Sequence, residues 1–263
     1  MNNYINNQDL LYDLHNYGAS LKFREIFLHN HFVADDGNPG VEYRMANTFI
    51  KNLNALDNIN HNHILIHMQS VGGEWADGMA IYDAITNCQS YVSIVVYGQA
   101  ESMSSIILQA ADERIITPNS YFMIHYGSSD ASGDYLNVQN LAKYAQAICD
   151  KMIDIYSQSC IGGKFFKDKY GTNVSSVKKF LHRKLKQGDW YLGSQESVLY
   201  GFTDKVMKEI DVRTKQVLIE AFIVEANSDF ERALGTRLGG YYLRKGKNFG
   251  GITGGDGSTA GSS

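Results

Sequence analysis

Between residues 64 and 125 the hydrophobic period switches repeatedly, and this limits the fold more than any other feature. Residues 64–68 (ILIHM) are a short apolar run ending at the glycine turn S-V-G-G. Residues 78–86 (GMAIYDAIT) then place Met79, Ile81, Tyr82 and Ile85 at helical spacing. Residues 92–97 (VSIVVY) are β-branched and read as a buried strand. GQAES is expected to turn the chain, and MSSIILQAA, 103–111, to resume as a helix. RIITP and YFMIH follow as short strands around Pro118 and Asn119. From Tyr135 to Ser159 a long helical pattern runs without proline, with Leu136, Leu141, Ile148, Met152 and Ile155 at its apolar positions. Strands alternating with helices predict an α/β layered fold with parallel pairing.

A chain of 263 residues with 44% apolar and 20% charged residues has enough to bury for a folded body. No apolar run approaches the roughly 20 residues of a membrane-spanning helix, so no membrane partner is expected. The opening MNNYINNQDL lacks a basic patch followed by an apolar stretch, so no secretory signal is expected. Lys plus Arg is 24 against 28 for Asp plus Glu, a net charge of −4. That balance, without basic blocks, argues against nucleic acid as a partner. Cys88, Cys149 and Cys160 fit neither a disulfide framework nor a zinc ribbon, and read as reduced thiols of a cytoplasmic protein. Ten of the 25 glycines fall between Gly235 and Gly261. The expected organisation is a polar segment over 1–21, an ordered body over 22–210, a strand-like segment over 211–240 and a loose Gly/Ser-rich tail over 241–263.

Ser102 follows the glycine turn at the foot of a helix, where unpaired backbone N–H groups stabilise negative charge. A serine there can attack a carbonyl while the Met103 N–H receives the developing oxyanion. The glycines of S-V-G-G, 70–73, are a candidate second donor, because they let backbone approach a substrate closely. Serine needs a base; His125 ends a short strand and Asp189 lies in the loop segment GDW. Each residue alone also has a plain structural role: a helix cap, a strand-end histidine, a loop carboxylate, a turn. The esterase elbow G-x-S-x-G is absent, and spacing alone leaves both accounts open.

As a set, S-V-G-G, G-M-A-I-Y-D-A-I, G-Q-A-E-S-M, P-N-S-Y-F-M-I-H and D-W-Y-L-G-S-Q-E-S-V-L-Y-G-F-T-D resemble the proteolytic subunit of the Clp protease family, in the family's order, over about residues 22–208. R-E-I-F-L at 24–28 looks like its first core strand. The resemblance implies a crotonase-like layered β-α-β spiral core with a protruding handle helix, near 135–159 here. It implies that Ser102 is nucleophile, His125 general base and Asp189 its orienting carboxylate. Gly73 and Met103 would supply the oxyanion N–H groups, and Gly72 and Gly127 would contact substrate. It further implies self-association into two stacked seven-membered rings, fed with unfolded chains by a Clp-type AAA+ ATPase. No metal or other cofactor would sit in the subunit itself, and ATP would enter only through that ATPase.

Several features depart from the family. Val71 replaces the usual proline and is expected to relax the turn; Glu101 puts a carboxylate beside the serine, disfavouring acidic substrates. IGGKFFKDKYGTN, 161–173, is extra length at the end of the handle, where it would alter ring-to-ring contact. The polar N-terminus lacks the apolar segment lining the family's pore. Rival readings are an ATPase-independent viral capsid-maturation protease, a non-catalytic ring subunit, and a crotonase-type acyl-CoA enzyme. Residues 212–240 instead resemble the start of a secretin core domain; about 50 residues are too few for its barrel, and no pore function is implied. A fused or recombined join and a single exposed strand are both open. His29, His31, His61, His63 and His67 are expected to be solvated loop histidines rather than metal ligands. Lys178, Lys179, Arg183, Lys184 and Lys186 are expected to make a solvated basic helix face.

Overall fold

The strands begin where the apolar and β-branched runs do. The computed structural model describes residues 7–28, 40–128, 132–207, 241–244 and 247–251. The chain divides into two units, residues 1–211 and 212–263. In the first, β1 (Ala19–Ser20) turns antiparallel onto β2 (Glu25–Leu28), and β2 pairs in parallel with β3 (Ile64–Ser70). β3 pairs in parallel with β4 (Val92–Glu101). β4 then serves two partners. Its first half pairs with β5 (Glu113–Ile116), which carries β8 (Lys205–Val206) at the edge. Its last three residues pair with β6 (Tyr121–Ile124), and β6 pairs antiparallel with β7 (Trp190–Gly193). The result is the layered, mainly parallel α/β arrangement that the alternation predicts.

The GQAES segment corrects the expectation of a turn. It continues β4 to Glu101, with the β3 register slipping between Met68 and Ser70. Gly98 has φ +65°, a conformation that costs a side-chain-bearing residue energy. A glycine inside a strand pattern marks a bend rather than an end. The strand bends there and finds a new neighbour.

Helices cover one face of this sheet. α1 (Asn7–Tyr17) precedes β1, so 7–20 of the expected polar segment holds a helix and the first strand of the sheet. α2 (Tyr43–Ile59) starts at Glu42, whose carboxylate accepts from the Arg44 and Met45 N–H groups, and buries Met45, Phe49, Leu53 and Leu56. α3 (Trp75–Thr86) buries Ile81 and Ile85, and α4 (Met103–Ile107) runs into a 3-10 turn over Leu108–Ala110. Arg24 holds the loop after α2 by donating to the carbonyls of Leu56, Asn60, Asn62 and His63.

The long helix α5 (Tyr135–Cys160) matches its pattern in extent but not in burial. At 26 residues it is about 39 Å long. Met152 and Ile155 pack into the core, whereas Leu136 is 66% exposed and Leu141 is also exposed. Its first half therefore stands clear of the body. The 161–173 segment lies at its buried end: 164–170 form α6 (Lys164–Tyr170), which packs against α7 (Val174–Leu185) and α8 (Ser194–Tyr200). Phe165, Phe166, Phe180, Trp190 and Tyr200 make an aromatic cluster there, with Phe166 fully buried and its ring 5.3 Å from that of Phe180.

The basic face is more engaged than expected. Lys178 pairs with Asp154, Arg183 lies over Phe180, and Lys184 lies over Trp190. His67 is likewise no loop residue. It sits on β3 between the rings of Phe27 and Tyr97, at 4.4 and 5.7 Å, and burial pushes its imidazole pKa down against the pull of Glu25. His63 contacts Ser93 and His61 contacts Asp57; His29 and His31 lie outside the described residues. Among the described residues no group of three or more His, Cys, Asp or Glu could hold a metal ion, and no helix is long and apolar enough to cross a membrane. All three cysteines are free, and burial pushes the Cys160 thiol up to about 12.

In the second unit, the secretin-like segment lies outside the described residues. Within the segment expected to be a loose tail, β9 (Tyr241–Arg244) and β10 (Lys247–Gly251) pair antiparallel, and residues 252–263 lie outside the described residues. Aromatic residues in both strands favour that pairing.

Because α6 buries Phe166 completely, Phe166→Ala should destabilise the body by roughly 3–5 kcal/mol. Urea unfolding followed by far-UV circular dichroism reads this directly. A loss below about 1 kcal/mol would show that α6 is not part of the cooperative core.

Candidate active site

Two strand registers bring the three residues together. β6 ends at Ile124 and β7 begins at Trp190, and these two pair across the antiparallel ladder. The next residue out on each strand is therefore His125 on one side and Asp189 on the other. His125 Nδ1 lies 3.3 Å from Asp189 Oδ1. On the other flank, β4 pairs Glu101 with Met123, which leaves Ser102 beside the end of β6. Ser102 Oγ is 2.8 Å from His125 Nε2.

That last contact needs a break in strand geometry. Successive side chains on a strand point to opposite faces, and Ser102 follows Glu101 directly. Ser102 has φ +51° and ψ −124°, a strained conformation for a residue with a side chain. Its own N–H is held by the Met123 carbonyl at 3.0 Å, and its carbonyl accepts from the N–H and hydroxyl of Ser105. The strain is thus imposed on both sides of the residue, and it turns the hydroxyl towards the imidazole.

The S-V-G-G turn is built against this elbow. A methyl group at Gly72 would lie 2.6 Å from Ser102 Cβ, 2.7 Å from the Glu101 carbonyl and 2.8 Å from the Met103 nitrogen. Gly72 has φ +95° as well, so only glycine fits. Val71 is expected to relax the turn, yet the turn is firmly held. The Gly72 N–H donates to Ser70 Oγ, which also accepts from Ser104, and Val41 bridges Gly73. In that bridge the Val41 N–H donates to Gly72 O and the Glu74 N–H donates to Val41 O. Parallel bridging through its two neighbours points the N–H of Gly73 away from Val41. Met103 is the first residue of α4, so its N–H has no partner within the helix. Ser70 belongs to the S-V-G-G motif, whereas Val41 is a support that carries no signal in the sequence, since G-V-E is an unremarkable string.

The remaining candidates are placed as follows. Gly127 is exposed two residues after His125, with φ +77° and open space beside it. Asp189 has a half-exposed side chain and reaches no described hydrogen-bond partner besides its contact with His125. Glu101 is half-buried, and its carboxyl is pushed above the usual range, first by burial. The charge of Asp189 adds to that rise and the charge of His125 opposes it. Chemically, the arrangement offers a hydroxyl hydrogen-bonded to an imidazole, a carboxylate on the imidazole's far nitrogen, and backbone donors on adjacent residues.

A methyl at Gly72 would push directly on the serine. Gly72→Ala should therefore slow labelling by a serine-directed fluorophosphonate by about 100-fold or more while far-UV circular dichroism stays unchanged. Labelling at the parent rate would show that the turn does not position Ser102.

Known proteins resemble the chain over the segments that build this site. The chain is 32% identical over 201 residues to the ATP-dependent Clp protease proteolytic subunit of Deinococcus radiodurans, covering 75% of this chain and 86% of that protein. It is 30% identical over 171 residues to the protein of the same name from Carsonella ruddii, covering 63% and 82%. The Clp protease family model matches residues 17–210, from the end of α1 past β8, and so takes in every strand that builds the site. The chain belongs to the Clp protease family.

Proposed function

We propose that this chain is a serine endopeptidase, the proteolytic subunit of a Clp-type chamber protease, with Ser102, His125 and Asp189 as its triad. The observation that carries the proposal is the 2.8 Å contact of Ser102 Oγ with His125 Nε2, made by a serine held in a strained elbow at a helix start. In the first step Ser102 Oγ attacks the scissile carbonyl carbon while its proton passes to His125 Nε2. The carbonyl oxygen becomes an oxyanion, held by the N–H groups of Gly73 and Met103. His125 then gives its proton to the leaving amine, the C–N bond breaks, and an acyl-enzyme remains on Ser102. Water, deprotonated by His125, attacks the ester and releases the new carboxyl end. Asp189 keeps the imidazole in the tautomer whose Nε2 accepts, and stabilises the imidazolium that forms. Gly72 and Gly127 present backbone to the substrate chain.

None of these steps requires a metal or organic cofactor. Names of the relatives support an ATP-dependent system, in which a separate AAA+ ATPase supplies unfolded protein and ATP acts only there. The same likeness supports self-association into rings, seven-membered by the family pattern, in the cytoplasm, with neither nucleic acid nor membrane as partner. The exposed first half of α5 is the segment available for contacts between subunits.

Fluorophosphonate labelling and hydrolysis of a fluorogenic peptide, with native mass recorded on the same samples, test the proposal. Ser102→Ala and His125→Ala should each lower hydrolysis by roughly 10⁴-fold or more, and Asp189→Ala by roughly 10³-fold or more, with labelling lost in Ser102→Ala. The native mass should be that of many subunits. A folded, ring-sized parent protein that neither labels nor cleaves would overturn the assignment.

A further inference from the structure

The row of residues leading into the triad carries a charge that the reaction does not use. Across β4, β6 and β7 the paired residues Gln99, Tyr121 and Gly193 form one row, and Glu101, Met123 and Tyr191 form the next but one. The row between them, Ala100, Phe122 and Leu192, is buried. Strand alternation therefore puts Glu101 and Tyr191 on the opposite face, on either side of the buried Met123, with Tyr121 two residues before Met123 on the same face. Continuing β6 and β7 by two residues on that face reaches His125 and Asp189. Glu101 thus shares the face from which a substrate chain approaches the triad. Its carboxylate makes no hydrogen bond or ion pair with any described residue, although it is half-buried. Tyr191 and Tyr121 are exposed on the same face, at 55% and 57%.

We propose that Glu101 is a specificity-determining residue, which favours substrates bearing a cationic side chain next to the scissile bond and rejects acidic ones. The inference rests on the peptidase reading of this site. A lone, partly desolvated carboxylate interacts with a charge more strongly than a fully solvated one does. A guanidinium or ammonium arriving on this face meets that carboxylate, and the exposed Tyr191 and Tyr121 on the same face offer rings that attract cations. An acidic side chain meets two carboxylates, Glu101 and Asp189, with only His125 to offset them. The selectivity is electrostatic, so it depends on the ionised form of Glu101. The charged groups acting on that carboxyl are His125 at the end of β6 and Asp189 before β7. Protonation of His125 slows all substrates alike and cancels in a ratio of two peptides.

Three fluorogenic peptides that differ only in Arg, Leu or Glu beside the cleaved bond test the proposal on the full-length assembled protein. In the parent protein kcat/KM for the Arg peptide should exceed that for the Glu peptide by about tenfold or more. Glu101→Gln should bring the two within about threefold, and Glu101→Lys should invert the order. The ratio in the parent protein should fall as pH is lowered and Glu101 takes up its proton, while the ratio in Glu101→Gln stays flat. An Arg-to-Glu ratio that is the same in all three proteins overturns the role of Glu101, and leaves the triad standing where fluorophosphonate still labels Ser102. Absence of both labelling and cleavage overturns the peptidase reading and this inference with it.

Discussion

Everything at the site depends on β6 having two partners. It lies parallel to the bent end of β4 and antiparallel to β7, so its C-terminal end is where three chain segments finish together. The parallel pairing delivers Ser102 to one side of His125, and the antiparallel pairing delivers Asp189 to the other. Either register shifted by one residue would turn the side chains to the opposite face. The bend at Gly98 makes this possible, because it lets β4 leave β5 and reach β6 without ending the strand.

Packing holds these registers in place from below. Trp190, the residue after Asp189, is buried against Tyr200 and Phe202, with the Phe180 ring 5.9 Å away. Phe122 and Tyr156 extend the same cluster, and the Tyr156 hydroxyl meets Ser105 at the base of the Ser102 elbow. The hydroxyl is fully buried, and loss of water pushes its pKa well above the usual phenol range. It therefore stays neutral and bonded. The aromatic rings of α6 join this cluster from the side, so the segment expected to be extra length is part of the packed support under the site rather than a loose insert.

Electrostatics at the site are unusually one-sided. His125 is flanked by the carboxylates of Asp189 and Glu101, while the N–H groups of Gly73 and Met103 are left without a partner in the adjacent strand bridge and helix. In the proposed reaction negative charge would surround the group that becomes positive and donors the group that becomes negative, the arrangement that lowers a barrier without reorganisation during reaction. Glu101 would add a consequence for the substrate, since it shares a face with the triad and its carboxylate has no hydrogen-bond partner among the described residues.

Local sequence was enough to place most of the elements. The β-branched run at 92–97, the glycine turn after ILIHM and the proline-free pattern from Tyr135 each express a preference of a few neighbouring residues, and each became the expected element. Ser102, His125 and Asp189 were legible only as a set of motifs, because a serine after a turn or a carboxylate in a loop has the same local appearance whether or not it reacts. What local pattern cannot contain is the pairing of distant strands. The continuation of β4 through GQAES, the bridge of Val41 to Gly73 and the exposure of Leu136 and Leu141 all depend on which segment lies alongside, or on none lying there. The sequence by itself determined where most of the elements lie and which motifs, around Gly72, Ser102, His125 and Asp189, would have to meet. The tertiary structure alone decided that Ser102 abandons strand alternation and that Glu101 shares a face with the triad, since both follow from cross-strand registers between residues far apart in the chain.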